Sequence, residues 1–158
     1  MRRRTVLSGL AVALPITLAG CTGGSGGDEP SETEPPKDNE TATIGRITAS
    51  LTPREECPEP GEATVSFGNE SISVVGCVVG NNGCNVVRLE DIDYDADAEE
   101  VSVVVTAVEE REEDEACTEA LVNLGYEVSI DSEGTAVTSV RVVHDDVDGR
   151  RTVADVTK

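Results

Sequence analysis

Ile72-Ser73-Val74-Val75-Gly76-Cys77-Val78-Val79, then Gly80-Asn81-Asn82-Gly83, then Cys84-Asn85-Val86-Val87-Arg88-Leu89 is the stretch that decides the fold. Its two apolar arms are rich in valine, a side chain that suits a pleated, half-buried surface better than a helix. The Asn-Gly pair between them favours a tight hairpin turn, because both residues tolerate positive φ. The expectation is two antiparallel strands joined at Asn81–Gly83.

The same period of two extends in both directions. Upstream, Ala63-Thr64-Val65-Ser66-Phe67 alternates and Gly68-Asn69-Glu70 reads as a turn, while Ile44, Ile47 and Leu51 mark an opening strand or turn. Downstream, the strand from Cys84 runs on through Ile92 and Tyr94, and Asp95–Ala98 turns into Glu100–Val108, with Val101, Val103 and Val105 on one face. An acidic loop, Glu109–Glu115, follows. Cys117, Ala120, Leu121 and Leu124 fall at helical spacing and predict a short helical turn. Further strands are expected at 125–130, 137–143 and 151–156. Short strands at this turn spacing predict an all-β protein, a single immunoglobulin-like β-sandwich of about 7–9 short antiparallel strands. A small β-barrel is the alternative. The chain has no tryptophan, so "immunoglobulin-like" means a two-sheet architecture only.

This domain is expected over residues 41–158. Residues 22–40 contain no large apolar side chain and cannot bury enough surface to offset ordering, so 21–40 reads as a disordered acidic linker. Before it, Arg2-Arg3-Arg4 precedes an apolar run from Val6 to Ala19. That run is too short for a membrane span of roughly 20 residues, which makes residues 1–20 a secretory signal. Arg3-Arg4-Thr5-Val6-Leu7 fits a twin-arginine signal. Leu18-Ala19-Gly20-Cys21 resembles a prokaryotic lipobox, which implies lipidation of Cys21 and attachment to the outer face of the cell membrane. Two acyl chains would hold the protein there stably, at about 0.8 kcal/mol per buried methylene.

With Cys21 assigned to lipid, Cys57, Cys77, Cys84 and Cys117 remain. An even set in an exported domain reads as two disulfides. Cys77 and Cys84 share a sheet face across the expected turn but do not stand opposite each other, so a bond between them would strain the hairpin. Cys57–Cys77 with Cys84–Cys117 is preferred. Cys57–Cys117 with Cys77–Cys84 is the second choice, and a four-thiolate zinc site has no Cys-x-x-Cys pair to support it.

The chain carries 32 acidic against 12 basic residues, a net charge of −20, and its only lysines are Lys37 and Lys158. Lysine scarcity with abundant acid resembles proteins of extreme halophiles. In molar salt the Debye length falls to about 3 Å, which screens the self-repulsion that would push the fold apart in dilute buffer. Nucleic acid is excluded as a partner by this charge, by the lack of a basic patch and by having only Phe67, Tyr94 and Tyr126 as aromatics.

Gly83-Cys84-Asn85, Tyr94-Asp95, Val101–Val105, Cys117-Thr118-Glu119-Ala120-Leu121, Tyr126-Glu127-Val128 and Val140–Val143-His144-Asp145 together resemble a pattern in small haloarchaeal lipoproteins of uncharacterised function. The resemblance spans about residues 57–150 and implies a secreted, disulfide-bonded β domain. It implies no catalytic residues.

Asp91, Asp93, Asp95 and Asp97 suggest calcium, but an EF-hand loop would need Gly at 96 and Glu at 102, where Ala and Ser stand. Alternating acids on an exposed strand explain them as well. Asn39-Glu40-Thr41 and Asn69-Glu70-Ser71 match the N-glycosylation triplet. His144 is the only histidine, which excludes a blue-copper site, and it reads as a strand-end residue beside Asp145 and Asp146. No nucleophile–base motif is present, and no cofactor is expected. The favoured function is a lipid-anchored, non-catalytic domain that binds a protein, glycan or other envelope component. The alternatives are a solute-binding accessory lipoprotein of a transporter and a hydrolase using carboxylates.

Overall fold

The computed structural model of the protein describes residues 39–158; the expected signal peptide, Cys21 and most of the expected linker lie outside them. Nine strands form two sheets: β1 (Glu40–Ile44), β2 (Ile47–Arg54), β3 (Ala63–Phe67), β4 (Ser71–Gly80), β5 (Asn85–Asp95), β6 (Glu100–Glu109), β7 (Val122–Asp131), β8 (Ser139–Asp146) and β9 (Gly149–Thr157). One sheet has the order β1-β2-β7-β4-β3 and the other β5-β6-β8-β9. The fold is a β-sandwich, as the alternation predicted, and not a closed barrel. Glu40, expected to end the linker, instead begins β1, where its carboxylate accepts the Leu89 N–H at 2.7 Å.

Alternation builds the core. Ala49, Leu51, Val74, Val78, Val128 and Ile130 point in from the five-stranded sheet, and Val101, Val103, Val105, Val140 and Val142 from the other; all are fully buried. Full burial of one such side chain contributes about 1.5–3 kcal/mol.

Three expectations about connectivity are corrected. Asn81–Gly83 does not close a hairpin, because β4 and β5 lie in different sheets. The asparagine side chains supply local bonds that free the chain to cross: Asn82 Oδ1 accepts the Cys84 N–H at 2.9 Å, and Asn85 Oδ1 accepts the Asn82 N–H at 3.0 Å. Gly83 then donates to the Thr118 carbonyl at 3.0 Å. Second, the strands are not all antiparallel, since β6 and β8 pair in parallel from Glu100↔Ser139 to Thr106↔Asp145. Third, Cys117–Leu124 forms no helical turn. Cys117 is held by its disulfide, and Val122–Leu124 zip against Val78–Gly80 as the start of β7.

Both preferred disulfides are present, Cys57–Cys77 and Cys84–Cys117, with Cα separations of 5.3 and 5.4 Å.

The two outer faces differ in chemistry. On the four-stranded sheet, Asp93, Ser102, Arg141 and Asp155 stand in one row, and Arg141 pairs with Glu100 and Asp155 at 3.2 and 3.3 Å. On the five-stranded sheet, the registers align Thr41, Ser50, Ser129, Ser73 and Ser66 in one row across all five strands. Flanking positions add Thr43, Thr48 and Ser71 on one side and Thr52 and Thr64 on the other. Among the paired positions of these rows Glu127 and Asp131 are the acids; Glu127 is met by the Ser73 hydroxyl at 3.1 Å and by Arg54 at 3.2 Å, and Arg54 is shared with Glu56 at 3.3 Å.

Candidate functional site

The most perturbed chemistry lies where the two sheets meet. Tyr126 projects inward from β7, the central strand of its sheet, and His144 projects inward from β8 of the other; both are fully buried. Tyr126 Oη and His144 Nε2 share a 2.6 Å hydrogen bond, and the rings meet edge to face with centroids 5.6 Å apart. Gly76, the register partner of Tyr126 on β4, makes room for this. A Cβ at position 76 would fall 2.5 Å from Oη and 2.9 Å from the Glu62 carbonyl oxygen.

Burial controls the ionisation of both groups. It pushes the Tyr126 phenol well above its ordinary value. It lowers His144 to about 4, and the nearby Arg151 cation adds to that, while Asp146 and the Gly61 carbonyl oppose it. The Gly61 carbonyl favours a charged ring without meeting hydrogen-bond geometry, for His144 Nδ1 is buried with no hydrogen-bond partner. The imidazole is therefore neutral at pH 7. His144 is not the strand-end residue expected from its acidic neighbours: it sits inside β8 and points the way Val140 and Val142 do.

Two residues later, where β8 turns back into β9 of the same sheet, its end meets β4 of the other sheet. The Asp146 side chain is fully buried and Arg151 is a third exposed, and the two pair at 2.7 Å. Asp146 also accepts the Asp148 N–H at 3.1 Å and the Val79 N–H at 3.2 Å, and Val147 donates to the Val79 carbonyl at 3.2 Å. Burial alone would raise the Asp146 carboxyl, but the Arg151 guanidinium and these two N–H donors outweigh it and hold it below the ordinary value. The end of β8 is thereby fastened to the edge of β4.

The early end of the β6–β8 ladder opens a groove. β6 has ladder partners in β8 only as far as Thr106↔Asp145, which leaves Ala107, Val108 and Glu109 beyond the last pair. These residues line a cavity of about 650 Å3, with Val79–Asn81 and Val147 on the other side and Glu90 and Asp145 along it. Arg150 meets Glu90 and Asp145 at 3.2 and 3.4 Å. Val147 is 41% exposed, an uncommon aliphatic surface in so acidic a chain.

The residues singled out from sequence do not converge here. Asp91 and Asp93 are exposed on β5 with Ile92 facing inward between them. Asp95 Oδ1 accepts the N–H groups of Asp97 and Ala98 at 2.9 and 3.1 Å, which caps the β5–β6 turn. Strand alternation and a turn cap thus account for the acid spacing, and among the described residues no three His, Cys, Asp or Glu side chains gather to hold a metal. Asn69 is exposed in the β3–β4 turn, and Asn39 is exposed just before β1, with its Oδ1 accepting the Thr52 hydroxyl at 3.3 Å.

No known protein family, curated protein or solved structure matches this chain.

Proposed function

We propose that the protein is an exported, lipid-anchored surface domain that works by binding, and that its partner is a segment of an envelope protein seated in the groove between β6 and the end of β8. The observation that carries this reading is the cysteine pairing. All four cysteines of the described residues are consumed in two disulfides, the state of an oxidising compartment. Cys21 is left over, inside a lipobox-like sequence with a Gly-rich leash behind it.

Binding is favoured over catalysis by where the perturbed groups lie. Tyr126 and His144 are buried and engaged with each other, so a substrate in the groove would meet neither. The groove instead offers a strand edge, an exposed aliphatic side chain and carboxylates, which together suit an extended main-chain segment. The acid-rich surface adapts this domain to molar salt.

Two measurements test the proposal. Cys21→Ser should move the protein from the membrane to the soluble fraction, and membrane retention would refute the anchor. A photo-crosslinking residue in place of Val147, activated on intact cells in molar salt, should capture one recurrent envelope protein; capture of none, or of an unrelated assortment, would refute the assignment of the groove.

A further inference from the structure

The fold treats the two Asn-x-Ser/Thr triplets of the chain differently. In Asn39-Glu40-Thr41 every side chain is engaged. Asn39 Oδ1 accepts the Thr52 hydroxyl at 3.3 Å, the Glu40 carboxylate accepts the Leu89 N–H at 2.7 Å, and the Thr41 and Ser50 hydroxyls share a bond of 3.2 Å. Glu40 and Thr41 are also laddered to Leu51 and Ser50 between β1 and β2. Asn69-Glu70-Ser71 is presented openly. The last ladder pair of β3 and β4 is Phe67↔Ile72, and the Gly68 N–H donates to the Ser71 carbonyl at 2.9 Å. Asn69 and Glu70 are left as the exposed tip of the turn. Asparagine commonly serves a turn by bonding its side chain to nearby backbone. Asn69 makes no such bond, and among the described residues neither its amide nor the Ser71 hydroxyl has a hydrogen-bond partner.

We infer that Asn69 is N-glycosylated and that Asn39 is not. The donor is a sugar activated as a lipid-linked phosphate. Asn69 Nδ2 attacks the anomeric carbon, an N–C bond forms, the C–O bond to phosphate breaks with its electron pair on the phosphate, and the amide gives up one proton to the transferase. The inference rests on the exported reading above, since the transferase and its lipid-linked donor belong to the membrane. A chain that crosses the membrane folded, as its twin-arginine motif implies, meets the transferase in the form the fold presents. Reaching Asn39 there would require breaking the three side-chain bonds of its triplet and unzipping the start of β1. Reaching Asn69 breaks none. The site is also compatible with the groove. Asn69 precedes the first residue of β4, whereas Val79 and Gly80 line the groove at its last. At about 3.3 Å per residue the two lie roughly 30 Å apart along that strand, so a bulky, hydrophilic sugar at Asn69 leaves the groove clear.

The full chain purified from its native membrane tests this. Peptide mass spectrometry should find the mass of one or more sugar residues on Asn69 and none on Asn39. Asn69→Gln should remove that mass and speed migration in gel electrophoresis. Ser71→Ala, which keeps the asparagine and deletes only the hydroxyl of the triplet, should do the same, and Asn39→Gln should leave the mass in place. Circular dichroism in molar salt should be unchanged in all three. Sugar on Asn39, or its retention after Ser71→Ala, would overturn the inference. A bare Asn69 would overturn it too, and external protease applied to intact cells separates the two causes. A bare protein that the protease cleaves leaves the exported reading standing, whereas a bare protein shielded from it brings down both.

Discussion

Tyr126 on one sheet and His144 on the other are joined by a 2.6 Å hydrogen bond inside the core. Most of what holds the two layers together is non-directional aliphatic packing; this bond fixes how one sheet sits against the other.

Tyr126→Phe should destabilise the domain by roughly 1–3 kcal/mol, because it leaves a second buried imidazole nitrogen without a partner beside the unpartnered Nδ1. Replacing both residues, Tyr126→Phe with His144→Leu, should cost less than the sum of the two single changes, since removing both polar groups removes the desolvation penalty as well. Denaturant melts of the four proteins in molar salt check this, and strict additivity would contradict it.

The same pair predicts a pH dependence. His144 is held at about 4 in the folded protein and returns to about 6.5 on unfolding. Between those values the unfolded chain binds the extra proton, so stability is full above about 6.5 and falls as pH drops toward 4. The loss amounts to roughly 3 kcal/mol at about 1.4 kcal/mol per unit. Asp146, whose carboxyl is held low by Arg151 and backbone donors, adds a further loss at more acidic pH. Unfolding free energy measured from pH 7 to 4 should slope in the parent and flatten in the His144→Leu variant.

Gly76→Ala should be among the most damaging single-methyl changes in the chain. The new methyl would strike Tyr126 Oη and Cζ and the Glu62 carbonyl at once, and backbone on one side leaves little room to yield. A large drop in Tm is expected, partly recovered by Tyr126→Phe, which removes the nearest of the three atoms.

Each disulfide should contribute about 3–4 kcal/mol through closure of loops with sequence separations of 20 and 33. Paired Cys→Ala variants at 57 and 77, or at 84 and 117, should melt well below the parent. The second pair should also loosen the Gly83–Thr118 contact that sets the crossing between sheets, read as faster amide exchange at Gly83.

Dilution from molar salt to low-salt buffer should unfold the domain, as the net charge of −20 loses its screening. Circular dichroism across a salt series reads this directly, and an unchanged spectrum would contradict the salt-adaptation reading.

The strands were legible because the inward positions are almost all aliphatic and alternate without interruption, as in Val101, Val103 and Val105. The disulfides were legible because the cysteines are few. The sheet assignment around Asn81–Gly83 was not, because whether β4 pairs with β5 depends on distant partners. β7 takes that edge of β4, and the Asn82 and Asn85 side chains bond within the loop instead. The Tyr126–His144 pair did leave a signal: His144 shares the parity of Val140 and Val142, so a strict alternation argument places it inside. The acids at 145 and 146 drew attention outward, although the Asp146 side chain is itself buried. The groove had no signal at all, since it exists only where β8 leaves β6.

The position of β7 in its sheet has a kinetic consequence. It is the middle strand, yet it is made after six others, so β1–β2 and β3–β4 wait as separate hairpins with β2 and β4 exposing bare edges. Such edges are templates for intermolecular pairing, and closing a sheet through distant segments is slow, typically milliseconds to seconds. A nascent chain shorter than about residue 131 cannot complete that sheet, so the edges of β2 and β4 stay open at least until Val122–Asp131 has been made.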